Sequence, residues 1–290
     1  MDFKQLGLSD AILTTLAELD YAEPTPIQIE AIPHILNGRD VIGQAQTGTG
    51  KTAAFTLPVL QQLDPDGLQM LILTPTRELA RQIAQSVHRY GKRPGMRVLP
   101  IYGMSSYDRQ IRRLKKGVNV VVGTPGRTLD LIQKGVLKLG TVRFVVLDEA
   151  DEMLKMGFIV DVEAILNATN AKKRQTSLFS ATFSDPIREL AQTYMHDPVH
   201  ISIEPDEVTV ASINQRYYVV KDADKLAALS RILEVEKLKN TLIFARTKVG
   251  AAELAERLIE RGFPAVAIHG DLPQPERERI IKRFSTGQLS

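Results

Sequence analysis

Two short stretches bring together residue types that can do chemistry. The first is "AQTGTGKT", Ala45–Thr52. It nearly matches the phosphate-loop pattern, with Ala45 where the first glycine of the usual spacing falls. Gly48 and Gly50 let a backbone turn tightly, so that N–H groups at a helix N-terminus point at anionic oxygens. Gln46, Thr47 and Thr49 are the other residues of the cradle. At the end of such a loop Lys51 reaches the β and γ phosphates of a nucleotide, and the Thr52 hydroxyl ligates Mg2+. The bland alternative is a glycine turn before an amphipathic helix, with a chance Lys-Thr.

The second stretch is "FVVLDEADEML", which begins at Phe144. An apolar run ends abruptly in Asp148 and Glu149 and, one alanine later, Asp151 and Glu152. Like charges this close repel, so something must compensate them. Acids also suit the first turn of a helix, and alone that reading is the simpler one. Paired with the loop upstream, a sharper reading takes over. In a P-loop NTPase an aspartate ending a buried strand holds the Mg2+ of the nucleotide. Asp148 ends such a strand, and Glu149 is placed to polarise the attacking water as a general base. The missing positive charge is then the metal that arrives with ATP.

The elements that must position these residues are legible as alternation. Short β-rich runs ("DVIGQA", "MLILTP", "RVLPIY", "NVVVGTP", "FVVLDE", "QTSLFSAT", "PVHISI") are separated by helical patterns. In "RELARQIAQSVHRYGK" Leu79, Ile83 and Val87 form one apolar stripe. In "DPIRELAQTYM" Asp185 is the expected N-cap, with Pro186 at the first helical position. Met153, Met156 and Phe158 are read as core positions after the acids. Continuous apolar strands fit a sheet covered on both faces, and the expectation is a doubly wound parallel α/β fold. Residues 204–213, with a proline and acids but no helical period, are read as a linker between a domain at 1–203 and a second at 214–290. That second block has strands "NQRYYVV", "NTLIFARTK" and "PAVAIHG" alternating with helices, too few to close a covered sheet.

The chain has 290 residues, 43% hydrophobic and 24% charged, with a net charge of +3 and a pI of about 9.0. That is a globular composition, and the charge permits an anionic partner without demanding one. The basic runs "RQIRRLKKG" and "AKKRQ" are more often solvated faces than binding sites. No apolar run is long enough to cross a bilayer, and the N-terminus has no apolar core of the signal type. With no cysteine, disulfides, thiolate metal sites and a cysteine nucleophile are excluded. A cytoplasmic location is the default expectation. Nothing in the sequence sets an oligomeric state.

Asp148-Glu149-Ala150-Asp151 spells D-E-A-D, and with "AQTGTGKT" the chain resembles the DEAD-box ATP-dependent RNA helicases. "PTRELA" (Pro75–Ala80), "TPGR" (Thr124–Arg127) and "SAT" (Ser180–Thr182) follow in the family's order. "YAEPTPIQ" resembles the adenine-reading motif, with Gln28 its namesake and Phe3 its upstream aromatic. "LIFARTK" and "HGDLPQPERE" resemble the opening motifs of the second domain. The resemblance implies two RecA-like domains, the second incomplete, closing over ATP, Mg2+ and RNA. Lys51, Asp148 and Glu149 would then serve hydrolysis, and Ser180 and Thr182 would couple it to strand separation. Phe3 and Tyr21 would stack near adenine. Arg77, Gly103, Thr124 and Arg127, with Gln274 and Arg277 in the second domain, would hold the RNA backbone with little sequence preference.

Three departures stand out. Asp20 sits where the adenine motif usually has glycine, and Met104 fills the second position of a usual glycine pair. The family's last two motifs do not occur before Ser290, so a C-terminally truncated form with impaired hydrolysis is expected. A nucleotide- and RNA-binding module without turnover is the alternative from another class. A metabolic P-loop ATPase leaves "PTRELA" and "TPGR" unexplained. His269 reads as a strand-end histidine.

Overall fold

The computed structural model describes residues 2–64, 66–91, 96–203, 214–236, 238 and 240–288. Two compact units divide the chain, Met1–Val208 and Thr209–Ser290. The expected linker at 204–213 lies outside the described residues.

In the first unit every expected strand forms. These are β1 (Val41–Gln44), β2 (Met70–Leu73), β3 (Val98–Ile101), β4 (Val120–Gly123), β5 (Phe144–Asp148), β6 (Gln175–Ser180) and β7 (Val199–Ser202). They make one sheet in the order β3-β4-β2-β5-β6-β1-β7, with every pairing parallel. Parallel strands need crossovers, and the helices supply them. They are α1 (Asp10–Glu18), α2 (Pro26–Leu36), α3 (Lys51–Leu60), α4 (Arg77–Tyr90), α5 (Tyr107–Lys115), α6 (Pro125–Gln133), α7 (Ala150–Lys155), α8 (Ile159–Asn167) and α9 (Asp185–Tyr194).

Alternation along the strands feeds two cores. Met70 and Ile72 of β2 join one with Ile27, Ile32 and Phe55, while Leu71 and Leu73 join the other with Leu131, Ile165 and Ile187. Both faces of the sheet are therefore covered, as the unbroken apolar runs require. Under the loop after β1, the Phe179 ring lies 5.3 Å from that of Phe55 and fills the space that a side chain at Gly43 would need.

Two local expectations need correction. Ser184, not Asp185, is the N-cap of α9; Asp185 and Pro186 are its first helical residues. Serine before Asp-Pro is the better cap because its extended backbone leads into the turn that proline's fixed φ begins. Met153 is buried and Phe158 packs on the core, but Met156 is half exposed. The helix α7 ends there, and Gly157 at φ +78 reverses the chain before Met156 can turn inward.

The second unit contains α10 (Lys225–Glu236), α11 (Lys248–Glu260) and α12 (Gln274–Ser285). The three strands expected there do not form: residues 214–220, 241–245 and 264–269 have no regular secondary structure and no ladder pairing. Apolar β-branched composition sets up a strand but supplies no partner for its backbone. Tyr217, Val219 and Phe244 are accordingly at least 90% exposed.

Phe179→Ala is expected to destabilise the first unit by about 3–5 kcal/mol, because the ring is fully buried and Gly43 cannot fill the void. Urea unfolding of the substituted and unsubstituted chains measures this.

Candidate active site

The C-terminal ends of β1, β5 and β6 are adjacent because β6 lies between the other two. The loop after β1 begins with Ala45 N–H donating to the Ser180 carbonyl at 3.0 Å, which ties it to the end of β6. Gly48 and Gly50 take φ +89 and +95, conformations that favour glycine, and Gly50 leads directly into α3. Thr49 Oγ1 donates to the Gln46 carbonyl at 2.8 Å and pins the turn. The Lys51 ammonium is buried and folds back to donate to the Ala45 carbonyl at 3.0 Å. The result is a preformed ring of backbone with a cation beneath it. Thr52 is half-buried on the first turn of α3.

Gln28 braces this loop from α2. Its Oε1 accepts from Thr25 N–H at 3.0 Å, completing a capping box, and its Nε2 donates to the Gly50 carbonyl at 3.1 Å. A side chain at Gly50 would collide with that amide. Nearby, Tyr21 and Tyr90 share a hydroxyl–hydroxyl bond of 2.8 Å with edge-to-face rings, and Phe3 is buried in the core 6.5 Å from Tyr21. The departure at Asp20 has a physical account. Asp20 adopts φ +58, the left-handed conformation a glycine would take, which aspartate tolerates.

Asp148 ends β5 fully inside the protein. Burial pushes its carboxyl up to about 6; the Lys51 ammonium opposes this, and the charges of Glu149 and Asp151 add to it. Glu149 adopts φ +55, an uncommon conformation for a non-glycine residue, and so turns its side chain toward the loop. Its Oε1 accepts from Thr47 Oγ1 at 3.3 Å. The two chemically capable stretches of the sequence therefore meet. Asp151 is occupied differently. Thr182 donates to its Oδ2 through both N–H (3.2 Å) and Oγ1 (3.1 Å), and Ser180 Oγ accepts from its backbone N–H at 3.2 Å. Burial works against the Asp151 carboxylate, but the Ser180 and Thr182 bonds outweigh it and hold its carboxyl below the usual range.

These residues fit Mg2+ carried by a nucleotide. A buried carboxylate with a raised proton affinity is only partly compensated by Lys51, and the Thr52 hydroxyl stands next to that lysine on the first turn of α3. Among the described residues no group of three or more His, Cys, Asp or Glu forms a cage. One carboxylate plus phosphate oxygens and water is the usual way Mg2+ is held.

The remaining candidates of the first unit lie on the rim past the C-terminal ends of its strands. Arg77 opens α4, Gly103 lies between β3 and α5, Thr124 caps α6, and Arg127 stands in the first turn of α6. Arg77 Nη2 lies 3.9 Å from where a Cβ on Gly103 would stand, so these two are neighbours. Met104 adopts φ +57 and is exposed, and Arg77 Nη1 approaches its Sδ at 2.9 Å. Gln274 and Arg277 belong to the second unit, on the first turn of α12, with Arg277 Nη1 donating to Gln274 Oε1 at 3.2 Å. Gln274 is buried rather than solvated. Sequence reasoning missed Thr25, Tyr90, Tyr107 and Gln110 as supports of this region. Only Thr25 left a signal, as the cap three residues before Gln28.

A glycine-lined loop at a helix N-terminus, facing a buried aspartate across a parallel sheet, defines the P-loop class of α/β proteins. Two family models match the chain: DEAD/DEAH box helicase over residues 25–190 and helicase conserved C-terminal domain over residues 224–290. The chain belongs to the DEAD/DEAH box helicase family. It is 48% identical over 289 residues to the DEAD-box ATP-dependent RNA helicase CshA of Bacillus cereus, covering 99% of this chain and 55% of that protein. The RNA helicase CrhR of Synechocystis is also 48% identical, covering 99% of this chain and 58% of that protein. The chain thus spans about half the length of these curated relatives. Among solved structures, S. cerevisiae Dbp5 bound to RNA and ADP BeF3 matches with a TM-score of 0.87 and 34% identity, over 99% of this chain and 74% of that one. A DEAD box protein from Methanococcus jannaschii matches with a TM-score of 0.69 and 43% identity, over 100% and 78%.

In the ligand-free protein the folded Asp148 carboxyl keeps its proton to higher pH than it does in the unfolded chain. The stability it contributes is full below pH 3.8 and is lost as pH rises through about 6. Asp148→Asn is therefore expected to gain on the unsubstituted chain as pH rises from 4 to 7, by about 2–3 kcal/mol. Urea unfolding across that range, without nucleotide or metal, measures it.

Proposed function

We propose that this chain binds ATP and Mg2+ through residues 1–203 and uses ATP binding and hydrolysis to open RNA duplexes locally. The observation that carries the reading is the contact between the phosphate loop and Asp148-Glu149, with Thr47 on Glu149 and Lys51 in the field of Asp148. The names of the relatives and the RNA-bound Dbp5 structure support it.

Phosphates enter the cradle of Gln46–Thr52, and Lys51 exchanges the Ala45 carbonyl for β and γ oxygens. Thr52 and Asp148 would hold Mg2+, which would neutralise charge on the phosphate oxygens. Glu149 orients a water in line with the γ phosphorus and takes its proton. The water oxygen bonds to phosphorus as the bond to the bridging oxygen of ADP breaks. Tyr21, backed by Phe3, stacks near adenine, and the second N–H of Gln28 reads its edge. Ser180 and Thr182, bonded at Asp151, pass the state of the site to the RNA rim.

On that rim Arg77, Gly103, Thr124 and Arg127 take the RNA backbone, and Gln274 and Arg277 do so from the second domain, residues 214–290, after a linker at 204–213. Contacts to phosphate position the strand without reading bases, so little sequence preference follows. The proposed setting is the cytoplasm.

Lys51→Ala is expected to abolish ATP binding measured by calorimetry, while RNA binding in a filter assay persists. ATP binding unaffected by this change would sink the reading. Separately, Glu149→Gln is expected to lower RNA-stimulated ATP turnover about 10²–10⁴-fold, with ATP affinity within about twofold of the unsubstituted chain. Equal turnover in the two proteins would remove Glu149 from the chemistry and leave a binding module.

A further inference from the structure

The helix α5, whose basic face looked merely solvated, grips one residue of the rim from two sides. The Tyr107 ring on its first turn lies under the Arg127 guanidinium, with Cζ 4.8 Å from the ring centroid. The Lys134 ammonium lies 4.6 Å from the same centroid. Arg127 and Lys134 are seven residues apart on α6 and its C-cap, about 10.5 Å along the helix, and the one ring contacts both cations. Lys134 is held in place by Asp130 at 2.7 Å. One edge of the guanidinium is fixed as well: Arg127 Nη1 donates to Gln110 Oε1 at 3.1 Å. Gln110 is buried, and its Nε2 donates to the Tyr102 carbonyl at 3.1 Å, next to Gly103.

An arginine on a free stem loses much rotamer freedom on binding a phosphate, and one already clamped loses less. We propose that Tyr107 is a positioning residue that presents the Arg127 fork to an RNA backbone phosphate in register with Gly103. The inference rests on the reading of Arg127 as an RNA contact. It assigns the work to the ring, which lies against the guanidinium, rather than to the Tyr107 hydroxyl, which interacts with Asp130 and Lys134.

The test uses the full chain and a fluorescent 20-nucleotide oligouridine, titrated at several salt concentrations. Tyr107→Leu is expected to weaken binding about 3–10-fold and to lower the salt slope by up to about 0.7, one phosphate contact on a single strand. Tyr107→Phe keeps the unsubstituted affinity and slope, ATP affinity is unchanged in both, and Tyr107→Leu adds no further loss to Arg127→Ala. Unsubstituted affinity in Tyr107→Leu beside a weakened Arg127→Ala overturns the positioning role alone. Unsubstituted affinity in Arg127→Ala overturns the RNA-contact reading and this inference with it. A second readout is independent of the leucine variant's folding. The Arg127 Nε–H proton in the unsubstituted chain and in Tyr107→Phe is expected upfield by ring current, and its absence also overturns the proposal.

Discussion

The first unit is organised around a carboxylate that is almost wholly buried. Asp148 lies at the closed end of a buried strand, where solvation is lost and two further acids crowd it. Among the described residues Lys51 is the cation that acts on it, and that ammonium is itself tethered to the Ala45 carbonyl. Every nearby element serves this imbalance. The sheet order sets β1 and β5 on either side of β6, the loop glycines keep side chains out of the gap, and Glu149 accepts an unfavourable backbone angle to reach Thr47. A site built this way is short of positive charge, which the Mg2+ proposed to accompany ATP would supply.

Much of the first unit was legible in the sequence because its strands are buried on both faces and read as unbroken apolar runs. "MLILTP" and "NVVVGTP" could hardly be anything else. The phosphate loop and the acids were legible for a different reason: their residue types are unusual together, and each explains the other. What stayed hidden was the supporting layer. Tyr107, Gln110 and Tyr90 lie on amphipathic helices whose pattern says only which side faces the sheet. Their partners Arg127, Tyr102 and Tyr21 are distant in the chain, so no local spacing announces them.

The second unit marks the opposite limit. Its apolar segments have the composition of strands, yet residues 241–245 and 264–269 pair in no ladder. Helices close their hydrogen bonds locally and form here on their own pattern, whereas a strand is a property of at least two segments. The misplaced expectation about Met156 has a related cause, since a six-residue helix ends before its periodicity can dictate a face.

Gln28 shows how narrowly chemistry constrains one position. Its oxygen serves the cap of α2 and its nitrogen serves the loop at Gly50. Glutamate has the same shape and would satisfy the first duty, but it would set a carboxylate oxygen against the Gly50 carbonyl. The codons for these two amino acids differ by a single base. A commonplace mutation thus meets an electrostatic barrier at this position.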